Sequence, residues 1–151
     1  MRSVLSAAIV ALVVGGCASP NDPSIVAGIW HQDFGNVPGT FFEMTLFTTS
    51  SGIGGTGFGC GEAGPCATSN ISGTVDGRKV HLTIISTQTS PAGANAIFTE
   101  EFDGFLLPVN GLVGKLRQIG PSAEIGLVYD VAYHRNPAGV DEPLNAKLTT
   151  D

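Results

Sequence analysis

Apolar and polar residues alternate along most of the chain, in short runs separated by turn-forming residues. In one run, Val80, Leu82 and Ile84 alternate with His81 and Thr83. A period of two places successive side chains on opposite faces, as in a half-buried antiparallel strand. The alternation predicts about eight strands: Val26–His31, Phe41–Thr49, Gly52–Cys60, Ala67–Val75, Lys79–Thr87, Asn95–Leu107, Leu112–Gln118 and Glu124–His134.

The links between these runs are short and have the chemistry of tight hairpins. Asp76-Gly77 and Asn110-Gly111 are pairs that tolerate positive φ in two-residue turns. Short links join consecutive antiparallel strands into a meander, and closing the meander removes its exposed edges. We therefore predict an all-β fold, a single small antiparallel up-and-down β-barrel of about eight strands, with a β-sandwich as the alternative.

The first 16 residues have the layout of an export signal. Arg2 precedes an apolar run from Val4 to Val14 that only Ser6 interrupts, and Gly15-Gly16 follow. The run is roughly half of the ~20 residues that a membrane-spanning helix needs. A cleaved signal is therefore the better interpretation.

Val14-Gly15-Gly16-Cys17 resembles the lipobox of bacterial lipoproteins. This resemblance implies cleavage before Cys17 and lipid attachment to its sulfur, which would anchor the protein to a membrane of the bacterial cell envelope. Ala18 stands where that family places an inner-membrane retention aspartate, which favours the outer membrane. The predicted organisation is a signal at 1–16, a lipidated cysteine and flexible tether at 17–24, a barrel at 25–135 and a tail at 136–151.

Composition limits the partners of the mature chain. Removal of the signal leaves six Lys and Arg against 13 Asp and Glu, a formal charge of −7. An acidic chain with no basic cluster argues against nucleic acid and against electrostatic binding to anionic lipid. The 21 glycines and the low charged fraction of 13% suit a turn-rich β-protein.

Two cysteines remain once Cys17 is assigned to lipid. In an exported domain Cys60 and Cys66 most simply pair with each other, and Gly61, Gly64 and Pro65 supply the bends of the loop between them. A metal site needs further ligands at suitable spacing, and His31, His81 and His134 are scattered. We predict a structural disulfide and no metal or other cofactor.

The first and last predicted strands carry a second resemblance. Gly28-Ile29-Trp30 opens the first strand and Arg135 closes the last, as in the calycin group, the lipocalins and their relatives. Members of that group begin with a Gly-x-Trp strand, and many place a late basic residue across the tryptophan. The resemblance implies a small barrel that binds an apolar ligand, with Trp30 and Arg135 as candidate site residues.

Glu100 is the one carboxylate that disagrees with the predicted faces. Strict alternation places it on the same face as Phe98 and Phe102. Either Glu100 points inward, where it needs a basic partner or a polar ligand, or a β-bulge shifts the register and turns it outward. The bulge is the more common explanation, and the inward alternative makes Glu100 a candidate ligand-binding residue.

No catalytic signature is present: the chain has no nucleophile elbow, no zinc-protease helix motif and no phosphate-binding loop followed by a helix. We expect a non-catalytic protein that binds a small apolar ligand. The alternative is a barrel with a filled core that acts on another envelope protein, as a structural component or as a protease inhibitor.

Overall fold

The computed structural model describes residues 22–34, 39–62, 64–90, 92–120 and 126–135. The predicted signal, Cys17 and the predicted tail at 136–151 lie outside the described residues. In the described ranges, no helix has both the length and the apolar character needed to span a membrane.

Eight antiparallel strands form one closed barrel in which each strand pairs with its neighbours in sequence and β8 pairs with β1. The predicted up-and-down barrel is confirmed, and the sandwich alternative is wrong. The strands are β1 Gly28–Asp33, β2 Phe41–Thr49, β3 Gly52–Cys60, β4 Ala67–Asp76, β5 Lys79–Thr89, β6 Asn95–Leu106, β7 Gly111–Gly120 and β8 Val128–Arg135.

The period of two seen in the sequence becomes the inside and outside of the barrel. On β5 the side chains of Val80, Leu82 and Ile84 are buried, and Ile85 is 44% exposed. The buried side chains of all strands form one core. Burial of this apolar face is the main stabilising contribution, at roughly 25 cal/mol per Å² removed from water.

Two turns use the residues that the sequence singled out. Gly77 has φ of +61°, and Asn110 is the one non-glycine residue with positive φ among those described. Gly77 belongs to the predicted turn pair Asp76-Gly77, and Asn110 belongs to the predicted turn pair Asn110-Gly111. These turns hold β4 against β5 and β6 against β7 in register.

The chain enters the barrel through a 3₁₀ helix, Pro23–Val26, which occupies positions that the alternation assigned to the tether and to the first strand. Asp22 caps this helix by accepting a hydrogen bond from the Ser24 backbone N–H at 2.8 Å. Val26 is fully buried. Its burial comes from the helix packing onto the barrel rather than from a strand, so β1 begins at Gly28, two residues later than predicted.

The two ends of the barrel differ. The 3₁₀ helix covers the end where β1 begins, and the fully buried Trp30, Leu112 and Val26 pack there. We call this the closed end. At the opposite end, where β1, β3, β5 and β7 finish, the interior opens to solvent, and we call this end the mouth.

Glycines inside the barrel make room for large rings. A Cβ at Gly104 would lie 2.2 Å from the Phe102 ring, and one at Gly114 would lie 2.8 Å from it. Phe102 therefore lies flat across two glycines of β6 and β7. At Gly57 on β3 a Cβ would lie 2.7 Å from the Phe42 ring. The absence of a side chain at Gly57 therefore leaves room for the Phe42 ring nearer the mouth.

Candidate ligand-binding mouth

The mouth contains a cavity of about 480 Å³. Its walls are mainly apolar and aromatic, with a few polar side chains that point inward. The apolar part comprises Phe34, Phe41, Phe42, Ile84, Leu116, Tyr129, Val131 and Tyr133. The polar part includes Gln32, Thr40, Ser69, Ser86, Gln88 and Glu100, with Asp130 also on the lining.

Glu100 lines the cavity because the bulge is on the neighbouring strand. Thr99 pairs with Gly120, and the next residue, Glu100, pairs with Gln118. Ile119 is therefore the extra residue, and it belongs to β7. The alternation of β6 is undisturbed, so Glu100 shares the inner face with Phe102. Of the two alternatives for Glu100, the inward one holds, and the bulge does not turn it outward.

Glu100 is a partly buried carboxylate that has no basic residue beside it among the described lining residues. Burial raises the pKa of Glu100 above its ordinary value. The pKa of Tyr133 is raised strongly, first by its own burial and then by the charge of Glu100. None of the described residues that line the cavity is Lys, Arg or His. The carboxylate therefore has no basic counter-charge within the cavity.

The neutral polar groups on the wall are better satisfied. The hydroxyls of Ser69 and Ser86 lie 2.7 Å apart and share a buried hydrogen bond across β4 and β5. The Gln88 amide donates to the carbonyl of Pro65 at 2.7 Å, which ties β5 to the loop after β3. The Thr40 hydroxyl, by contrast, is buried with no hydrogen-bond partner in the described ranges. Two carboxylates are among the described lining residues, and Asp130 is paired with Lys115 outside the barrel. Glu100 is thus the charged side chain on this wall that has no basic partner among the described residues.

The rim of the mouth carries the predicted disulfide. Cys60 and Cys66 are joined, and their loop contributes Cys60, Gly61 and Pro65 to the cavity lining. The cross-link closes a short loop between β3 and β4. By the chain-entropy model, such a loop contributes about 2–2.5 kcal/mol.

Trp30 and Arg135 lie at the closed end of the barrel. They face each other across the β1–β8 pair, with the guanidinium carbon 4.7 Å from the centre of the indole ring. The Trp30 Nε1–H donates to the carbonyl of Val26 at 2.8 Å, and Arg135 donates to the carbonyl of Ile25. Neither residue is among the cavity lining residues. The structure therefore brings Trp30 and Arg135 together and leaves Glu100 apart.

Several lining residues were not singled out from the sequence. Ser86 and Gln88 continue the inner face of Val80, Leu82 and Ile84. On this one face of β5 the side chains change from apolar to polar along the strand. That change was a sequence signal for a polar part of the barrel interior. Alternation on β2 predicts that Phe42 shares the inner face with Met44 and Leu46, and the structure confirms this face. The room for its ring beside Gly57 and Gly59 depends on the pairing of β2 with β3.

Two of the three histidines contact carboxylates on the outside of the barrel, and none of the three lines the cavity. His81 Nδ1 lies 2.7 Å from Asp103, and His31 Nδ1 lies 3.3 Å from Glu43. Across the part of the chain that the structure describes, no group of three or more His, Cys, Asp or Glu side chains could hold a metal ion.

Comparisons of this chain with protein-family models, with curated proteins and with solved structures find no match. The closed barrel of eight strands is nevertheless the architecture that the calycin resemblance implies. The residues that carry the resemblance are in contact range, since a Cβ at Gly28 would lie 3.5 Å from Arg135.

Proposed function

We propose that this chain is a lipid-anchored lipoprotein of the bacterial cell envelope whose barrel binds a small, largely apolar ligand without catalysis. The observation that carries the proposal is the cavity of about 480 Å³ at the open end of a barrel whose other end is closed. That volume is within the range of ordinary small-molecule sites, about 300–1,000 Å³. The aromatic and aliphatic walls suit the apolar part of such a ligand.

The entry point of the chain is compatible with an anchor on Cys17. Asp22 lies at the closed end, and four residues lie between it and Cys17, which makes five Cα–Cα steps. Such a segment can extend at most about 17 Å. A lipid on Cys17 would therefore hold the closed end near the bilayer and leave the mouth facing the aqueous compartment. Ala18 after the lipidated cysteine favours the outer membrane as the site of this anchor.

The competing proposal, a filled barrel that inhibits or supports another protein, has less support. A filled barrel leaves no room for a ligand, and this one has a cavity. The protease-inhibitor version would use residues 18–28. In the described part of that segment, Val26 is buried and the Ile25 carbonyl is bound by Arg135. That part contributes to closing the barrel.

The ligand-binding proposal can be tested with two neighbouring positions that carry the same residue. Ile84 faces the cavity and is 1% exposed, whereas Ile85 faces outward. Ile84→Phe should fill part of the cavity and weaken binding of the neutral apolar probe 2-(1-naphthyl)ethanol, measured by calorimetry on the mature chain in detergent. Ile85→Phe is the matched control and should bind like the wild type. Equal binding by both variants, or no binding by the wild type, would reject the proposed site.

The anchor is tested separately by labelling cells with radioactive palmitate. The full chain should incorporate the label, and a Cys17→Ala variant should not. Equal incorporation by the two chains, or no incorporation by either, would exclude the lipid on Cys17 without affecting the binding experiment.

A further inference from the structure

The mouth combines a carboxylate with aromatic rings, and this combination narrows the class of ligand. We infer that the ligand carries a cationic group, an amine or quaternary ammonium, on an apolar body, and that Glu100 binds that group among the rings of the mouth. The inference rests on the proposed function and specifies the chemistry of its site.

The first support is the position of the carboxylate. Glu100 is fixed on the inner wall by the pairing of β6 with both neighbours, opposite Ile84 on β5 and Gln118 on β7. Its side chain lines the same cavity as Leu116 and Tyr133. A carboxylate that is partly removed from water is costly unless a cation or hydrogen-bond donors approach it. A ligand ammonium group would supply both.

The second support is the location of the basic side chains. Lys115 and Arg117 are on the same strand as Leu116 but point outward, where they pair with Asp130 at 2.7 Å and with Glu101 at 2.5 Å. Neither lines the cavity, and the described lining holds no other basic residue. The protein therefore supplies no cation of its own to Glu100. An anionic ligand such as a fatty acid would be repelled by the same wall.

The third support is the aromatic lining around the carboxylate. Phe42 and Tyr133 meet edge to face, with ring centres 6.4 Å apart, and both line the cavity. Phe34 and Tyr129 add aromatic rings toward the rim. Ring faces attract organic cations, by about 0.5–2 kcal/mol depending on desolvation. Rings and carboxylate thus favour the same charge.

The test compares three probes that share one ring and differ in one group: 2-(1-naphthyl)ethylamine, 2-(1-naphthyl)ethanol and 1-naphthylacetate. Calorimetry on the mature wild-type chain in a non-ionic detergent, with blank micelles subtracted, should give the tightest binding for the amine. We expect the amine to bind at least about ten-fold more tightly than the alcohol. We expect 1-naphthylacetate to bind most weakly of the three.

Two variants assign the preference to Glu100. Glu100→Gln should lower the amine-to-alcohol ratio to near one and leave binding of the alcohol in place. Glu101→Gln is the matched control, because Glu101 is the next residue but pairs with Arg117 outside the barrel. It should keep the wild-type ratio. A third variant, Gln88→Lys, adds a positive charge to the cavity wall and should lower the ratio independently.

The outcomes separate this inference from the proposed function. Alcohol binding without an amine preference, or a preference that survives both Glu100→Gln and Gln88→Lys, overturns the cationic ligand and leaves the ligand-binding barrel intact. Failure of all three probes to bind the wild type overturns both. Tighter binding of 1-naphthylacetate than of the amine would show that the cavity prefers an anion, and it would also reject the inference.

Discussion

The closed end and the mouth are built on the same eight strands but treat buried polar groups in opposite ways. At the closed end, the Trp30 indole and the Arg135 guanidinium each donate to a backbone carbonyl of the 3₁₀ helix, and the two side chains stack on each other. Only the Arg135 Nε is buried there without a hydrogen-bond partner among the described residues. At the mouth, Glu100 is partly buried without a basic partner on the described cavity wall.

The difference separates stability from binding along the barrel axis. Partnered polar groups at the closed end stabilise the fold, because a buried donor with an acceptor avoids the cost of desolvation. A partly buried carboxylate without a basic partner lowers the stability of the free protein. A cationic ligand that pairs with it removes this cost, which adds to the free energy of binding. Removing a partnered polar side chain at the closed end and removing the Glu100 charge at the mouth should therefore change stability in opposite directions.

The largest effect is expected at the closed end. Trp30→Ala removes a fully buried ring, the partner of Arg135 and the donor to Val26. It should lower the free energy of unfolding by about 3–5 kcal/mol, measured by urea denaturation followed by circular dichroism. Ile29→Ala is the control on the same strand, since Ile29 is 41% exposed, and it should cost less than about 1 kcal/mol. Similar losses for the two variants would contradict the packing described for the closed end.

A smaller loss is expected at the rim of the mouth. Replacing Cys60 and Cys66 by serine removes the cross-link that borders the cavity. The free energy of unfolding should fall by about 2–2.5 kcal/mol, the chain-entropy value for so short a loop. Because Gln88 bonds to Pro65 within this loop, probe binding should also weaken. Unchanged stability in the double variant would show that the loop is held by its other contacts.

The smallest effect has the opposite sign. Burial raises the pKa of Glu100 in the folded chain, so in the pH window above its ordinary value of 4.5 the folded chain binds more protons than the unfolded chain. Stability contributed by this site is therefore lost as pH rises through that window. Glu100→Gln should be more stable than the wild type at pH 7, and the gain should shrink toward pH 4.

Urea denaturation at the two pH values checks this prediction. Glu101→Gln is the control, because it removes only a partly exposed ion pair, worth about 0–1 kcal/mol, and should lower stability slightly at pH 7. A loss of stability for Glu100→Gln at pH 7 would mean that the carboxylate has a protein partner in the folded state.

Local pattern was enough to predict the strands but not the ends of the barrel. Alternation and the turns at Gly77 and Asn110 are properties of neighbouring residues, and they placed β2 and β3 at their observed bounds. Whether an inward residue lies near the mouth or the closed end depends on how distant strands align when the barrel closes. For that reason the sequence predicts both Trp30 and Glu100 as candidate site residues, although only Glu100 lines the cavity.

Glu100 shows a similar limit. Simple alternation gave its correct face, whereas the general frequency of bulges favoured the wrong one. The bulge exists, but Ile119 on β7 takes it up. Which of two paired strands holds an extra residue depends on the pairing between them, and the sequence of β6 alone carries no trace of it.

Within the described residues, the pairing of β1 with β8, which closes the ring, is the shortest of the eight. It contains three residue pairs, Trp30 with Arg135, His31 with His134 and Gln32 with Tyr133, against six to eleven in the others. Amide protons at this junction should exchange with solvent sooner than those of β4 and β5. Each opening would turn an edgeless ring into a sheet with two free edges, on which a second copy of the chain could add. The stacking of Arg135 on Trp30 spans this junction. We therefore expect the contact that closes this end of the barrel to limit self-association as well.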